Sequence, residues 1–170
     1  MKRIAQFEKV SFEQFEGAFK GEFPSFEDKE IREIYEAIPI PTRATKGSAG
    51  YDFATPIDFN LEPGKTIKIP TGIRAKMEED WVLCVFPRSG LGFKYRLQLN
   101  NTVGIIDSDY YFSDNEGHIF IKVTNDSNEG RTVSLTKGDG FAQGIFIPYG
   151  ITVDDACEGI RNGGFGSTNK

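Results

Sequence analysis

The hydrophobic and polar positions of this chain follow two different periodicities, which change near residue 38. In the first part, apolar residues recur every three or four positions with Glu and Lys between them, as is typical of amphipathic helices. The stretch "FEKVSFEQFEGAF" predicts one such helix, or two short helices with a break near Gly21 and Pro24. Its apolar face would be formed by Phe7, Val10, Phe12, Phe15 and Phe19.

A second helix is predicted over "SFEDKEIREIYEAI". Ser25 with Asp28 three residues later fits a capping box at its start. Pro39 and Pro41 follow the last apolar position, and proline disfavours helical backbone in the residue before it. The first 38 residues are therefore interpreted as an N-terminal helical extension.

From Pro39 onward, short alternating runs predict strands: "TIKIPTGIRAKM", "WVLCVFP", "HIFIKVTND", "RTVSLTKGD" and "AQGIFIPYGITV". Gly, Pro, Asp and Asn interrupt them every eight to twelve residues or so, which favours an all-β sandwich or barrel over βαβ units. We expect a mainly β protein with a helical extension over residues 1–38, a β domain over 39–158 and a glycine-rich tail over 159–170.

Composition narrows the classes of partner. The 170-residue chain has a net charge of −5, and no basic cluster is present that would favour a polynucleotide. No apolar run is long enough to cross a membrane, and no apolar stretch follows the basic N-terminus as in a signal peptide. The isolated Cys84 and Cys157 favour a reducing, cytoplasmic setting.

Five polar, glycine-containing segments lie between or after the predicted strands. In chain order they are "KGSAGYDF", "FPRSGLGFK", "LNNTVGIIDSDYYF", "KGDGFAQGIF" and "RNGGFGSTNK". Together they resemble the five ordered motifs of the trimeric dUTP pyrophosphatases, the dUTPases. The resemblance covers about residues 39–170. It implies a jelly-roll-like β subunit and a homotrimer whose active sites lie at subunit boundaries, each covered by the C-terminal tail of a neighbour.

The resemblance assigns roles around the triphosphate. Arg88 and Ser89, with Gly90 in the same turn, would supply a guanidinium, a hydroxyl and backbone amides to the phosphates. Asp52 would lie near the hydration shell of a Mg²⁺ ion that the substrate phosphates and waters hold, without direct protein ligands. Asp107 would act as general base on the attacking water, and Gln143 would hold that water or a phosphate oxygen.

A second group would recognise the nucleoside. Tyr110 resembles the tyrosine that packs under the sugar and excludes ribose, and Asn101 with the Gly104 backbone resembles the uracil-reading hairpin. In the tail, Phe165 would stack on the base, which is worth roughly 1–3 kcal/mol. The remaining tail residues would contact the phosphates or let the tail close: Arg161, Gly166, Ser167 and Thr168.

Several features depart from the family pattern. Arg161 and Phe165 are separated by one residue fewer than usual, and the fourth motif has Asp139-Gly140-Phe141 where the family tends to have an arginine. Gly90 replaces a common serine, and "YFSDNEGH" predicts a longer loop after Tyr110.

The expected activity is Mg²⁺-dependent hydrolysis of dUTP to dUMP and pyrophosphate. One alternative is a dCTP deaminase-like enzyme, which needs a glutamate as acid–base after the third motif. Glu116 lies there, but its context does not match. Another alternative is a nucleotide-sensing regulatory module that binds a protein partner through the N-terminal helices or the 111–118 loop.

Overall fold

A computed structural model describes residues 2–159 and Gly163 of the chain, and within them β-strands predominate. Twelve strands occur in this part of the chain: β1 (Ala5–Lys9), β2 (Thr42–Arg43), β3 (Tyr51–Ala54), β4 (Phe59–Leu61), β5 (Thr66–Pro70), β6 (Ile73–Met77), β7 (Trp81–Pro87), β8 (Leu97–Leu99), β9 (Gly104–Ile106), β10 (Phe120–Asn125), β11 (Val133–Leu135) and β12 (Gly140–Pro148).

Three α-helices and a short 3₁₀ helix accompany these strands. They are α1 (Phe12–Glu22), α2 (Asp28–Ala37), α3 (Ser89–Tyr95) and the 3₁₀ helix Ser108–Phe112. The loop predicted after Tyr110 is present, since β10 begins only at Phe120.

All strand pairs are antiparallel and form four sheets. The largest has the order β2-β3-β12-β7-β9, a second has β5-β10-β8, and β1-β6 and β11-β4 form two-stranded sheets. The described residues form no closed barrel, so the barrel version of the predicted fold is wrong. The mainly β prediction is confirmed.

The N-terminal segment is not wholly helical, contrary to its apolar spacing. Residues Ala5–Lys9 form strand β1, which pairs with β6 so that Phe7 lies opposite Ala75. Ser11 caps α1 by accepting a hydrogen bond from the Gln14 amide at 3.2 Å. The segment around Phe7 therefore pairs as a strand with the edge of β6, and the helix begins only at Phe12.

Helix α2 begins later than its predicted Ser25 cap. Glu27 is the N-cap residue, and its amide donates to Glu30 Oε2 at 2.8 Å. The capping box is thus formed two residues downstream, because Glu27 and Glu30 have the same three-residue spacing as Ser25 and Asp28.

The buried apolar side chains of the N-terminal segment and the β region form one continuous cluster. Phe15 and Phe19 on α1 are fully buried. The ring of Phe7 lies 5.3 Å from that of Tyr51 and 5.7 Å from that of Phe53. The aromatic stripe predicted in the N-terminal segment therefore packs on the β region of the same chain.

His118 lies between the N-terminal helix α1 and strand β10, with its ring near those of Phe15 and Phe120. Its ring is fully buried, and Nε2 accepts a hydrogen bond from the Gly72 amide at 2.9 Å. The neutral imidazole is required as the acceptor, and burial lowers the pKa of His118 from 6.5 to about 4. These contacts give His118 a structural role in the core.

We expect His118 to make the protein sensitive to acid. Because the folded pKa is lowered, the unfolded chain takes up a proton as pH falls below 6.5 while the folded chain does not. The stabilisation is complete above pH 6.5 and is lost as pH falls towards 4. Between about pH 7 and about pH 4.5 the free energy of unfolding should decrease by about 2 kcal/mol from this group.

Urea unfolding across that pH range would measure the decrease, with His118→Asn as the comparison. The variant should be less stable at neutral pH, and its pH dependence should be flatter by the same amount. Parallel pH dependences in the two proteins would contradict the role of His118.

Candidate active site

Asp52 and Gln143 lie side by side at one end of the five-stranded sheet. Asp52 in β3 is directly opposite Gln143 in β12, and Gln143 is opposite Phe86 in β7. Neighbours along a strand point to opposite faces, and Phe53 is buried in the core. Asp52 and Gln143 therefore lie together on the face away from the core.

Arg88 joins this pair at the end of β7. Its Nε lies 3.3 Å from Asp52 Oδ1, and its Nη1 donates to the Gly140 carbonyl oxygen at 3.4 Å. Nearly half of the Arg88 side chain is exposed, which leaves guanidinium surface for a phosphate. Arg88, Asp52 and Gln143 are called the sheet-end cluster below.

The glycine turn predicted for Arg88 and Ser89 is instead the start of a helix. Arg88 is the N-cap residue of α3, and Ser89 is its first residue, with an exposed side chain. Gly90 follows, and a side chain added there would meet nothing within 4 Å. Glycine at the position of the common family serine therefore leaves open space beside the cluster.

Two glycines shape the sheet-end cluster in a way that the sequence pattern did not indicate. A Cβ atom at Gly50 would lie 2.6 Å from Gln143 Oε1, and one at Gly140 would lie 2.8 Å from Arg88 Nη1. Side chains at either position would displace the functional group beside it. The repeated occurrence of glycine next to these motifs was the signal available in the sequence.

A separate cavity of about 430 Å³ contains the residues predicted to bind the nucleoside. Asn101, Gly104 and Tyr110 all line it, and their contacts with a nucleoside stay a prediction. The other lining residues come from β7, the β8–β9 hairpin and β10: Val85, Leu99, Asn100, Val103, Ile105, Ile106, Ile119, Phe120, Ile121 and Lys122. This volume is within the usual range for small-molecule sites. The β10 contribution was not predicted, because the alternation of that strand indicated only a core element.

Gly104 lets the hairpin approach β7 closely. It is paired with Val85, and a Cβ added at Gly104 would lie 3.1 Å from the Val85 Cβ. The floor of the cavity is therefore backbone at this point, which leaves amide and carbonyl groups near the space that a base would fill.

Tyr110 is buried, and its hydroxyl group makes two hydrogen bonds to the loop that follows it. The hydroxyl donates to the His118 carbonyl oxygen at 2.8 Å and accepts from Asn115 Nδ2 at 2.8 Å. Tyr110 also lines the cavity, and the two hydrogen bonds restrict the orientation of its ring.

Asp107 lies between the cavity wall and the 3₁₀ helix. It is the N-cap residue of that helix, yet its side chain makes no capping hydrogen bond. Its charge, together with burial, raises the pKa of the Cys84 thiol on β7; burial is the larger cause. The simple role of Asp107 as a turn cap is therefore not supported.

Within one chain, the sheet-end cluster and the cavity do not converge. Strand β9 pairs with β7, and its last residue Ile106 lies opposite Leu83, whereas Gln143 lies opposite Phe86. Ile106 is therefore about 10 Å from the position of Gln143 along β7, but the cavity residue Gly104 lies opposite Val85, only one residue from Phe86. The two faces of β7 separate the two sites. Val85 lines the cavity, while Phe86 is on the opposite face of β7.

Five of the predicted site residues lie outside the described residues. They are Arg161, Phe165, Gly166, Ser167 and Thr168. Their assigned contacts with base and phosphates therefore stay predictions.

Two further results limit the kinds of site. Among residues 2–159, no three His, Cys, Asp or Glu side chains come close enough to hold a metal ion. None of the helices described is long and apolar enough to pass through a membrane.

The sheet-end cluster and a cavity of the size of a nucleoside thus lie on one antiparallel β fold. A dUTPase family model matches residues 36–169. The chain belongs to the dUTPase family.

Relatives support this family membership over most of the chain. A deoxyuridine 5'-triphosphate nucleotidohydrolase of Lactococcus lactis is 42% identical over 134 residues, which cover 77% of this chain and 88% of the relative. That of Laribacter hongkongensis is 41% identical over 151 residues, covering 84% and 97%. The crystal structure of a dUTPase from Streptococcus mutans has a TM-score of 0.62 at 32% identity, covering 88% and 98%.

Proposed function

We propose that this protein hydrolyses dUTP to dUMP and pyrophosphate by attack of water on the α-phosphorus. Membership of the dUTPase family carries the proposal, because it joins an ionic cluster and a nucleoside cavity into one activity. Such an enzyme limits uracil incorporation into DNA and supplies dUMP. A cytoplasmic location belongs to the proposal, and the two free cysteines fit a reducing compartment.

The nucleoside would occupy the cavity with its sugar on the Tyr110 ring. Asn101 and the backbone at Gly104 would meet the edge of uracil, and a different base would leave buried polar groups unpaired. A 2′-hydroxyl would meet the Tyr110 ring, so we expect a preference for deoxyribose.

The triphosphate would be held by the sheet-end cluster. Arg88 would neutralise the phosphate charge, and the Ser89 hydroxyl would donate to a phosphate oxygen. The open space at Gly90 would leave room for the phosphates. Asp107 would accept the proton of the attacking water, and Gln143 would orient that water or a phosphate oxygen. Gln143 already donates a hydrogen bond to the Pro87 carbonyl oxygen at 3.3 Å, which restricts its rotamer.

Mg²⁺ is the cofactor we propose, held by the substrate phosphates and waters. Asp52 is a half-buried carboxylate beside Arg88, and a single carboxylate suits a metal that retains most of its waters. The ion would supply charge neutralisation at the phosphates.

We also propose a homotrimer with shared active sites and a jelly-roll-like subunit. The separation between the cavity and the sheet-end cluster within one chain supports it, because a complete site then needs a second copy. The tail of a neighbouring copy would add Phe165 on the base, and Arg161, Ser167 and Thr168 on the phosphates, with Gly166 allowing closure. The division into residues 1–38, 39–158 and 159–170 is part of this proposal.

The deaminase alternative is not favoured. Both carboxylate oxygens of Glu116 accept hydrogen bonds from Ser11, at 2.7 Å from its amide and 2.6 Å from its hydroxyl. These donors lower the pKa of the Glu116 carboxyl. A general acid–base needs the opposite shift, towards neutral pH.

Pyrophosphate release from dUTP, dCTP, dTTP and UTP, with and without Mg²⁺, tests the function. We expect rapid release from dUTP alone, and only with Mg²⁺. Ammonia release from dCTP would favour the deaminase. Binding of dUTP without release of either product would favour the nucleotide-sensing module.

A further inference from the structure

The N-terminal segment, residues 5–37, contacts the loop that carries Tyr110. Ser11 donates its amide and its hydroxyl to the carboxylate of Glu116, at 2.7 and 2.6 Å. Ser11 also caps helix α1. One serine therefore joins the start of the helix to the loop by two hydrogen bonds to a charged acceptor, which are among the stronger kinds.

Two more side chains of this segment contact the same loop. Glu8 on β1 accepts a hydrogen bond from the Tyr111 hydroxyl at 2.8 Å and is paired with Arg74 at 3.0 Å. Gln14 on α1 lies 3.5 Å from Nδ1 of His118. The contacts come from a strand and a helix, so both elements restrain the loop.

Hydrogen bonds within the loop connect these contacts to the Tyr110 side chain. Asn115, next to Glu116, donates to the Tyr110 hydroxyl at 2.8 Å, and that hydroxyl donates to the His118 carbonyl oxygen at 2.8 Å. Gly117 has φ +70°, and a Cβ there would lie 2.7 Å from the Tyr111 Cα. The loop is closely packed on its own backbone. A displacement of Glu116 is therefore expected to move the neighbouring residues 115–118 as well.

Glu116 itself has φ 58°, a left-handed conformation that costs a non-glycine residue free energy. The surrounding contacts must hold it there, and the two hydrogen bonds from Ser11 do so.

The three N-terminal residues that contact the loop, Glu8, Ser11 and Gln14, all precede residue 36, where the family match begins.

We propose that Glu116 and Asn115 are positioning residues for Tyr110, and that the N-terminal segment sets the discrimination between deoxyribose and ribose through them. The inference rests on the proposed function, in which the Tyr110 ring packs under the sugar. When the Ser11–Glu116 contact is lost, the ring becomes less well fixed and a 2′-hydroxyl is rejected less strongly. Arg88 and Gln143 lie on other elements, and Asp107 lies at the start of the 3₁₀ helix, away from Glu116, so the chemical step should change less than the discrimination.

The test compares the full-length wild type with Glu116→Gln, which keeps the size of the side chain but removes its charge and one acceptor. Steady-state pyrophosphate release is measured with dUTP and with UTP. We expect KM for dUTP to rise about three- to tenfold with kcat within about twofold, and the preference in kcat/KM for dUTP over UTP to fall about three- to tenfold. Ser11→Ala should act in the same direction, and Ser11→Thr should restore the preference.

Tyr35→Phe is the matched control. It removes the hydrogen bond from the Tyr35 hydroxyl to the Val10 carbonyl oxygen, 2.7 Å long, within the N-terminal segment. It should lower thermal stability but leave the dUTP preference unchanged. If Glu116→Gln does not fold, Asn115→Asp takes its place with the same expected result.

An unchanged dUTP preference in a folded Glu116→Gln or Asn115→Asp protein would overturn the inference. If the wild type itself releases no pyrophosphate from dUTP, the proposed function fails instead. The inference is then tested by calorimetric titration with dUMP and UMP. A fall in the dUMP preference in the variant supports it, and an equal preference in both proteins rejects it.

Discussion

Replacing Asp107 with asparagine is expected to lower kcat for dUTP about 10²- to 10⁴-fold, the usual contribution of a general acid–base. The amide keeps the size and most contacts of the carboxylate but cannot take a proton from water. KM for dUTP should stay nearly constant, because Tyr110 and Asn101 bind the nucleoside and Arg88 binds the phosphates. Pyrophosphate release under saturating dUTP and Mg²⁺ measures the loss.

Asp114→Asn provides the comparison for this experiment. Asp114 lies in the same loop, is exposed, and loses the same charge on substitution. It should retain wild-type kcat. If Asp107→Asn kept activity within about threefold of the wild type, the base would have to be another group, and the assignment from the third motif would be wrong.

Replacing Phe15 with alanine should lower the free energy of unfolding by about 3–5 kcal/mol, the range for a buried phenylalanine. Phe15 is fully buried on α1, with its ring 5.2 Å from that of Phe19, 5.5 Å from that of Tyr35 and 6.2 Å from that of His118. The cavity left behind would lie where the N-terminal segment meets the β region. Urea unfolding at neutral pH measures the change.

Phe93→Ala is the control, since it removes the same side chain from a surface position. Phe93 is 94% exposed, so its loss should change the free energy of unfolding by less than about 0.5 kcal/mol. Equal effects of the two substitutions would mean that α1 does not share the core of the β region. A loss of helix signal at constant β structure would support separate folding of residues 1–38.

This packing also changes how the nucleotide-sensing alternative must be tested. Deleting residues 1–37 would remove β1 and with it the partner of β6, and would uncover apolar surface that Phe15 and Phe19 cover. Loss of activity in such a deletion would therefore report unfolding as well as partner binding. Exposed substitutions on α2, such as Lys29 or Glu33, separate the two effects.

The order of the five motifs was available from the sequence because each motif is local. Glycine marks a turn, Arg beside a hydroxyl residue marks a phosphate site, and a carboxylate marks a candidate general base. Each of these patterns is contained within a few residues of the sequence. Asn101, Gly104 and Tyr110 were assigned to the nucleoside through the family resemblance of their motif, and they line one cavity. The strands of the β region were indicated by their alternation, which depends only on which face is buried.

The sequence did not show which strand a segment pairs with or at which residue a helix begins. Phe7 belongs to a helical spacing, yet β6 offers an unpaired edge, and Ala5–Lys9 pair with it as a strand. Ser25 and Glu27 have equivalent capping partners, and Glu27 caps the helix. Arg88 and Ser89 begin a helix although two glycines follow closely. For β1 the long-range pairing with β6 decided against the helical spacing.

By itself the sequence determined the β-rich class, because alternation is a local pattern, and the family, because five motifs occur in the order of that family. Only the tertiary structure decided that the sheet-end cluster and the cavity lie apart within one chain. It also decided that Ser11 and Glu116, 105 positions apart, join the N-terminal segment to the Tyr110 loop. Contacts over such separations follow from the packing of whole elements, which no local pattern specifies.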